Sequence, residues 1–80
     1  MTVVTLYTKP GCHLCDDALA ALRRVQLAVP FELHERDISA DERLHRAYFE
    51  RIPVVAVDGE EMFDYFVDER SLEERLSAAS

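Results

Sequence analysis

The chain has 80 residues, of which 49% are hydrophobic, and a formal net charge of −7. A chain of this length forms one domain with a thin core, so we expect a single domain over residues 1–80. The acidic balance argues against a nucleic-acid partner, which needs a basic face, and against an anionic membrane surface. No apolar run approaches the roughly 20 residues of a membrane span, so we expect no membrane association.

The two cysteines, Cys12 and Cys15, indicate the compartment. A strand pattern begins at Thr2 and leaves no room for a signal peptide ahead of it, so we predict a reducing, cytoplasmic location. A purely structural disulfide is an alternative for the pair. It would gain little, because a ring of about four residues contributes roughly 2 kcal/mol, compared with about 3 for a ring of fifteen.

The first half of the chain has a strand–helix–strand pattern. Residues 2–7 are almost continuously apolar, which is typical of a central strand covered on both faces. Residues 31–36 alternate at their start and predict a second, more exposed strand. The helix that joins them makes the two strands parallel. This helix, over residues 13–28, places four apolar side chains at helical spacing: Leu14, Ala18, Leu22 and Val25.

A short helix is predicted over residues 40–49. Ser39 and Glu42 fit a capping box, in which a hydroxyl and a carboxyl satisfy the first free N–H groups of a helix. The inward-facing residues of this helix are expected to be Leu44, Ala47 and Tyr48.

The remaining chain predicts a hairpin and a final helix. Residues 54–57 form a buried strand, and Asp58-Gly59 is a strong turn signal that leads into an antiparallel strand over residues 60–66. The last helix starts at Asp68 or Ser71. Five aromatic side chains are expected in core or sheet packing: Tyr48, Phe49, Phe63, Tyr65 and Phe66.

The Cys12-His13-Leu14-Cys15 stretch lies where the first strand passes through a turn into the first helix. A helix N-terminus carries roughly half a positive charge and unpaired N–H groups, and a thiol placed there loses its proton more easily. Cys12 is therefore the candidate nucleophile. Cys15, one turn further along, is the candidate resolving thiol.

Neighbouring side chains adjust this activation. His13 would stabilise a Cys12 thiolate if protonated, and is an exposed loop residue if neutral. Asp16 and Asp17 act in the opposite direction, because negative charge near a thiolate raises its pKa. We therefore expect a Cys12 pKa below about 8.5, without an extreme shift.

A metal site is the competing interpretation of the same residues. Cys12, Cys15 and His13 are soft ligands, and His34 or His45 could complete the set. The histidines have no characteristic spacing, however, so we predict no metal.

The Lys9-Pro10-Gly11 turn before the cysteine pair, the element order, and Ile52-Pro53 before the third strand carry a family resemblance. Over essentially its whole length the chain resembles small glutaredoxin-like proteins of the thioredoxin-fold superfamily. The resemblance implies an α/β fold with a four-stranded mixed sheet, order 2-1-3-4, flanked by three helices. It also implies a cis bond before Pro53, which faces the cysteines, while the Ile52 backbone pairs with the substrate backbone.

The chain departs from the glutaredoxin pattern at several positions. His13 stands where glutaredoxins usually have proline after the first cysteine, and Arg51 replaces a small residue two positions before Pro53. Residues 66–69, Phe-Val-Asp-Glu, replace the Gly-Gly step that binds the γ-glutamyl end of glutathione.

Two cations and one aromatic residue complete the expected substrate side. Lys9 matches a lysine that glutaredoxins use near the glycine carboxylate of glutathione, or else it is simply solvated. Arg51 either pairs with a substrate carboxylate or is a solvated charge that favours the helix dipole. Tyr7, at the exit of the first strand, could line the groove beside Cys12.

Together these features predict a thiol–disulfide oxidoreductase that reduces protein disulfides or glutathione mixed disulfides through Cys12 and Cys15. We expect no bound cofactor, a monomer, and glutathione or a flavin reductase as electron donor. The alternative function is a redox-inactive binding or adaptor module that kept the fold.

Overall fold

The strands and helices follow one another in the predicted order. The structure, a computed structural model, describes residues 2–79. The elements are β1 Val3–Thr8, α1 His13–Ala28, β2 Glu32–Asp37, a 3₁₀ turn Ile38–Ala40, α2 Glu42–Tyr48, β3 Val54–Val57, β4 Glu60–Asp64 and α3 Glu69–Ala79.

The strands form one mixed sheet with the order β2-β1-β3-β4. β1 runs parallel to β2 and antiparallel to β3, and β3 and β4 form the hairpin predicted from Asp58-Gly59. Asp58 and Gly59 both have positive φ angles, 50° and 86°, as this turn requires. The predicted fold class and strand order are confirmed.

A single cluster of buried side chains joins α1 and α3 to the two central strands. Its members are Val4, Leu6, Ala18, Leu22, Val25, Phe31, Val55, Val57, Leu72 and Leu76. All four residues of β3 are buried, which explains why that strand is continuously apolar. Because α1 supplies three of these side chains from one stripe, its position on the sheet is fixed by burial of that stripe.

The start of α2 differs from the prediction. Asp41, not Ser39, caps this helix, since its carboxylate accepts hydrogen bonds from the N–H groups of Arg43 (2.8 Å) and Leu44 (3.3 Å). Ser39 lies earlier, in the 3₁₀ turn, where its N–H donates to Asp37 (2.8 Å). Several capping side chains compete here, and a carboxylate accepts an N–H hydrogen bond more strongly than a hydroxyl does.

Two predicted inward faces are confirmed only in part: Leu44 and Tyr48 of α2 are half-buried, and Ala18, Leu22 and Val25 of α1 are buried. None of the residues of α2 is buried, and Ala47 is exposed. Leu14 is 50% exposed, because it lies in the first turn of α1, beyond the end of the core cluster. Phe49, expected to pack, is likewise about half exposed.

The fourth strand is shorter than predicted and irregular. The pairing of β3 with β4 shifts between Val55 and Ala56, so that Met62 and Phe63 both pack against the core instead of alternating. β4 ends at Asp64, and Tyr65 and Phe66 are 49% and 71% exposed, which contradicts their predicted packing.

The connection to α3 selects between the two starts predicted for that helix. Asp68 accepts a hydrogen bond from the backbone N–H of Ser71 (3.2 Å), and the helix begins at Glu69. The earlier start is therefore correct, and Ser71 lies inside the helix.

A polar network holds α2 at the edge of the sheet. The rings of Tyr7 and Tyr48 stack with centroids 4.5 Å apart, and the Tyr48 hydroxyl donates to Glu61 (3.1 Å). The Arg51 guanidinium lies 5.5 Å from the centre of the Tyr48 ring, pairs with Glu61 and reaches Asp64 at 3.5 Å. The network ties β1, α2 and β4 together, in place of the buried side chains that α2 lacks.

The core can be tested with two leucines on the same helix. Leu22 is fully buried, so Leu22→Ala should lower the free energy of unfolding by about 2–5 kcal/mol. Leu27 is 89% exposed, so Leu27→Ala should stay within about 0.5 kcal/mol of the parent chain. Urea unfolding followed by circular dichroism measures both, and similar losses in the two variants would contradict the placement of α1.

The network makes a prediction about acid stability. The hydrogen bond from Arg51 is the main cause that holds the pKa of Glu61 below its usual range. The contribution of the pair to stability is therefore present above the ordinary glutamate pKa and is lost as the pH falls through the lowered value. Arg51→Gln should raise the Glu61 pKa towards its ordinary value, as measured by an NMR titration of the carboxyl carbons.

Asp68 supplies the control for that titration. Its pKa is lowered chiefly by the backbone N–H of Ser71, so Arg51→Gln should leave it low. An unchanged Glu61 pKa in the variant, or a parallel rise at Asp68, would show that the guanidinium is not the cause.

Candidate active site

Cys12 and Cys15 form a disulfide at the start of α1, with their Cα atoms 5.2 Å apart. The turn from β1 contains Gly11 at φ +78°, a left-handed conformation that glycine adopts without steric cost. Cys12 follows in extended conformation as the N-cap of the helix, and the helix begins at His13. The predicted placement of the pair between strand and helix is confirmed.

The two sulfur-bearing residues differ in accessibility. Cys15 is 1% exposed and packs at the inner end of the turn, whereas Cys12 is only partly buried. The Cys12 sulfur accepts a hydrogen bond from the backbone N–H of Cys15 (3.2 Å). The same N–H would stabilise negative charge on that sulfur after reduction.

Pro53 lies at the same end of the sheet as the disulfide. The bond between Ile52 and Pro53 is cis, as predicted from the resemblance. β1 pairs with β3 so that Tyr7 is opposite Val54, which places Pro53 alongside Thr8, where the chain leaves β1 towards Cys12. The N–H of Ile52 donates to the carbonyl oxygen of Tyr48 (3.0 Å), so substrate pairing at Ile52 would use its carbonyl oxygen.

The two predicted cations have carboxylates close to them. Arg51 pairs with Glu61 and Asp64, and these carboxylates hold its pKa above the usual value. A substrate carboxylate at Arg51 would therefore compete with Glu61 and Asp64. Lys9 is exposed and lines a cleft of about 300 Å³ that also contains three carboxylate side chains: Asp16, Glu35 and Asp37.

Tyr7 and His13, the remaining predicted site residues, differ in exposure. Tyr7 is half-buried and stacks on Tyr48, so its ring belongs to the packing of α2 on the sheet. His13, the first residue of α1, is exposed. Between residues 2 and 79, no group of three or more His, Cys, Asp or Glu side chains is arranged to hold a metal ion. Within the same range, no helix has the length and apolar character needed to cross a bilayer.

The structure adds a second cleft, of about 200 Å³, that sequence reasoning missed. It runs along α1 from Leu14 and is closed on its other side by residues 65–67 and Glu69. A signal for it exists in the sequence. Tyr65, Phe66 and Val67 are three consecutive bulky residues before a capping aspartate, and a strand could turn only alternate ones inward.

The sequence matches the glutaredoxin-like domain family (DUF836) over residues 3–77. The chain is 34% identical to protein Ne2328 from Nitrosomonas europaea, whose solution structure superposes with a TM-score of 0.82, covering 94% of this chain and 91% of that one. It is 35% identical to a structural-genomics target from X. campestris, with a TM-score of 0.78 and coverage of 96% and 99%.

More distant neighbours have the same fold. A thioredoxin from Halobacterium salinarum is 18% identical, with a TM-score of 0.69, and the match covers 96% of this chain and 73% of the thioredoxin. No curated protein matches the sequence at a significant level. The family match covers nearly the whole chain, and the two relatives above 30% identity superpose on it with TM-scores near 0.8. The chain belongs to the glutaredoxin-like domain family, with a thioredoxin fold.

Proposed function

We propose that the protein is a thiol–disulfide oxidoreductase, with Cys12 as nucleophile and Cys15 as resolving thiol. The observation that carries the proposal is the unequal exposure of the two residues across a formed disulfide. A partner can approach Cys12, whereas Cys15 is 1% exposed and can react only with its neighbour. Two structural cysteines would need no such difference.

In the proposed reductive cycle, the two cysteine thiols give two electrons to a substrate disulfide. The Cys12 thiolate attacks one sulfur of a substrate disulfide, which forms a mixed disulfide and releases the first substrate thiolate. Cys15 then attacks the Cys12 sulfur, loses its proton to solvent and releases the second substrate thiolate. Both released thiolates are protonated according to their pKa values. The product on the protein is the Cys12–Cys15 disulfide.

The surroundings of Cys12 support each step. The N–H of Cys15 already points at the Cys12 sulfur, and the helix field favours a negative charge there. Pro53 beside Thr8 gives a substrate backbone an edge to lie against, with the Ile52 carbonyl oxygen as acceptor. His13 is exposed and would add positive charge next to the thiolate when protonated.

The cycle closes when an external donor reduces the pair. Glutathione or a flavin reductase would supply the two electrons, and protein disulfides or glutathione mixed disulfides would receive them. Thiol–disulfide exchange needs only the sulfurs, so the proposal includes no resident cofactor. We propose that a monomer carries out this cycle in a reducing cytoplasm.

Substitution of each cysteine separates their roles. Cys12→Ser should abolish reduction of a small disulfide with either donor, because the attacking sulfur is lost. Cys15→Ser should retain the first step and accumulate a mixed disulfide at Cys12, visible by mass spectrometry as one added substrate thiol. Full activity in Cys12→Ser would remove the proposal. Absence of turnover in the parent chain with both donors would favour the binding or adaptor function instead.

The activation of Cys12 can be measured directly. In Cys15→Ala a single thiol remains, so the ultraviolet absorbance of its thiolate titrates without coupling to a second group. We expect a pKa below about 8.5, because the helix N-terminus stabilises the thiolate while Asp16 and Asp17 limit the effect. An unfolded peptide of the same sequence is the control. A value at or above that of the peptide would contradict the proposed activation.

A further inference from the structure

The second cleft, which we name the α1 groove, begins in the first turn of α1. Leu14, between the two cysteines, forms one end, and Arg24 lies at the other, ten residues along the helix. At 1.5 Å per residue the groove is about 15 Å long, enough for four or five residues of an extended polypeptide and more than a tripeptide spans. Its floor consists of the small buried side chains Ala18 and Ala21.

The opposite wall presents an aromatic side chain to solvent. Phe66 is 71% exposed, and Leu14 across the groove is 50% exposed. The turn that holds Phe66 there is well fixed. Tyr65 has φ +69°, its N–H donates to the Pro53 carbonyl oxygen (2.9 Å), and its hydroxyl donates to the Glu50 carbonyl oxygen (2.7 Å). The exposed apolar surface is therefore a fixed part of the fold, and at Leu14 it comes within two residues of both cysteines in the sequence.

The charges of the groove determine what it can accept. Arg24 donates two hydrogen bonds to Glu69, at 3.1 Å and 2.9 Å, so this pair is close to neutral. Asp17 also lines the groove and gives it a net negative charge. The groove consequently favours cationic over anionic segments.

The other cations that border the site do not reverse this balance. Arg51 is paired with Glu61 and Asp64, and Lys9 shares its cleft with carboxylates. An anionic substrate such as a glutathione mixed disulfide would therefore meet a surface whose positive charges are already matched.

We propose that the α1 groove binds a polypeptide segment in which apolar and basic residues flank the disulfide cysteine. The apolar side chain would lie between Leu14 and Phe66, and the basic one beside Asp17. This inference rests on the proposed function and narrows its substrates to protein disulfides of that composition. It is tested by the selectivity of the protein between two peptides.

Two peptides of equal length would each carry one cysteine in a mixed disulfide with the same small thiol. One has leucine and arginine next to the cysteine, and the other has serine and glutamate. The intact protein should reduce the first with a kcat/KM about tenfold higher, the scale set by burying one apolar side chain. Phe66→Ser should lower the ratio of the two kcat/KM values, mainly by raising KM for the first peptide, and leave only the part that the charge of Asp17 contributes.

Leu27→Ser is the matched control for that variant. Leu27 is also a large exposed apolar residue, at 89%, but it lies near the far end of α1 and outside the groove. It should keep the tenfold ratio. A parent protein that reduces both peptides equally well, or a ratio unchanged in Phe66→Ser, would overturn the groove proposal and leave the oxidoreductase proposal standing.

Binding can be measured without turnover. The leucine–arginine peptide with serine in place of its cysteine should shift the amide NMR signals of Leu14, Ala21 and Phe66 in the oxidised protein, and Phe66→Ser should lose this saturable response. Shifts at these residues without any disulfide exchange would support the groove and refute the oxidoreductase. Disulfide exchange without these shifts would refute the groove and support the oxidoreductase. Absence of both exchange and shifts would overturn the two proposals together.

Discussion

Burial of one stripe of α1 is the constraint on which the rest of the structure depends. Ala18, Leu22 and Val25 can leave water together only if the helix lies along the central strands, and that placement fixes its first turn at the carboxyl end of β1. Cys15 is held inside by the same packing, while Cys12, at the cap, remains partly accessible. The difference in exposure between Cys12 and Cys15 thus follows from the packing of the core.

The fold was accessible from the sequence because its strongest signals are local. The continuous apolar run of β3, the Asp58-Gly59 turn and the stripe of α1 each specify an element without reference to distant residues. The start of α2 was not accessible, because Ser39 and Asp41 are both good caps and the pattern does not show that Ser39 lies in a 3₁₀ turn ahead of the helix. Where neighbouring residues can each serve as cap, local rules cannot choose.

Some features of the candidate site could be predicted from the sequence and others could not. The cysteine pair and the cis bond before Pro53 could be predicted from a motif and a resemblance. The pairing of Arg51 with Glu61 could not, because it joins residues on separate elements that come together only in the sheet. The run of three bulky residues at 65–67 is a signal that one of them faces solvent, but not that it is Phe66, since the turn before it uses a tyrosine at positive φ where glycine is usual.

The location of Cys12 at the N-cap and Cys15 in the first turn of α1 has a consequence for the proposed redox cycle. The disulfide closes a ring of a few residues that the helix already orders, and none of the side chains in the core cluster belongs to that ring. We therefore expect the oxidised and reduced chains to share one scaffold, so that the proposed redox cycle would need little rearrangement. A visiting protein would tell the two forms apart chiefly by the chemistry at Cys12 itself.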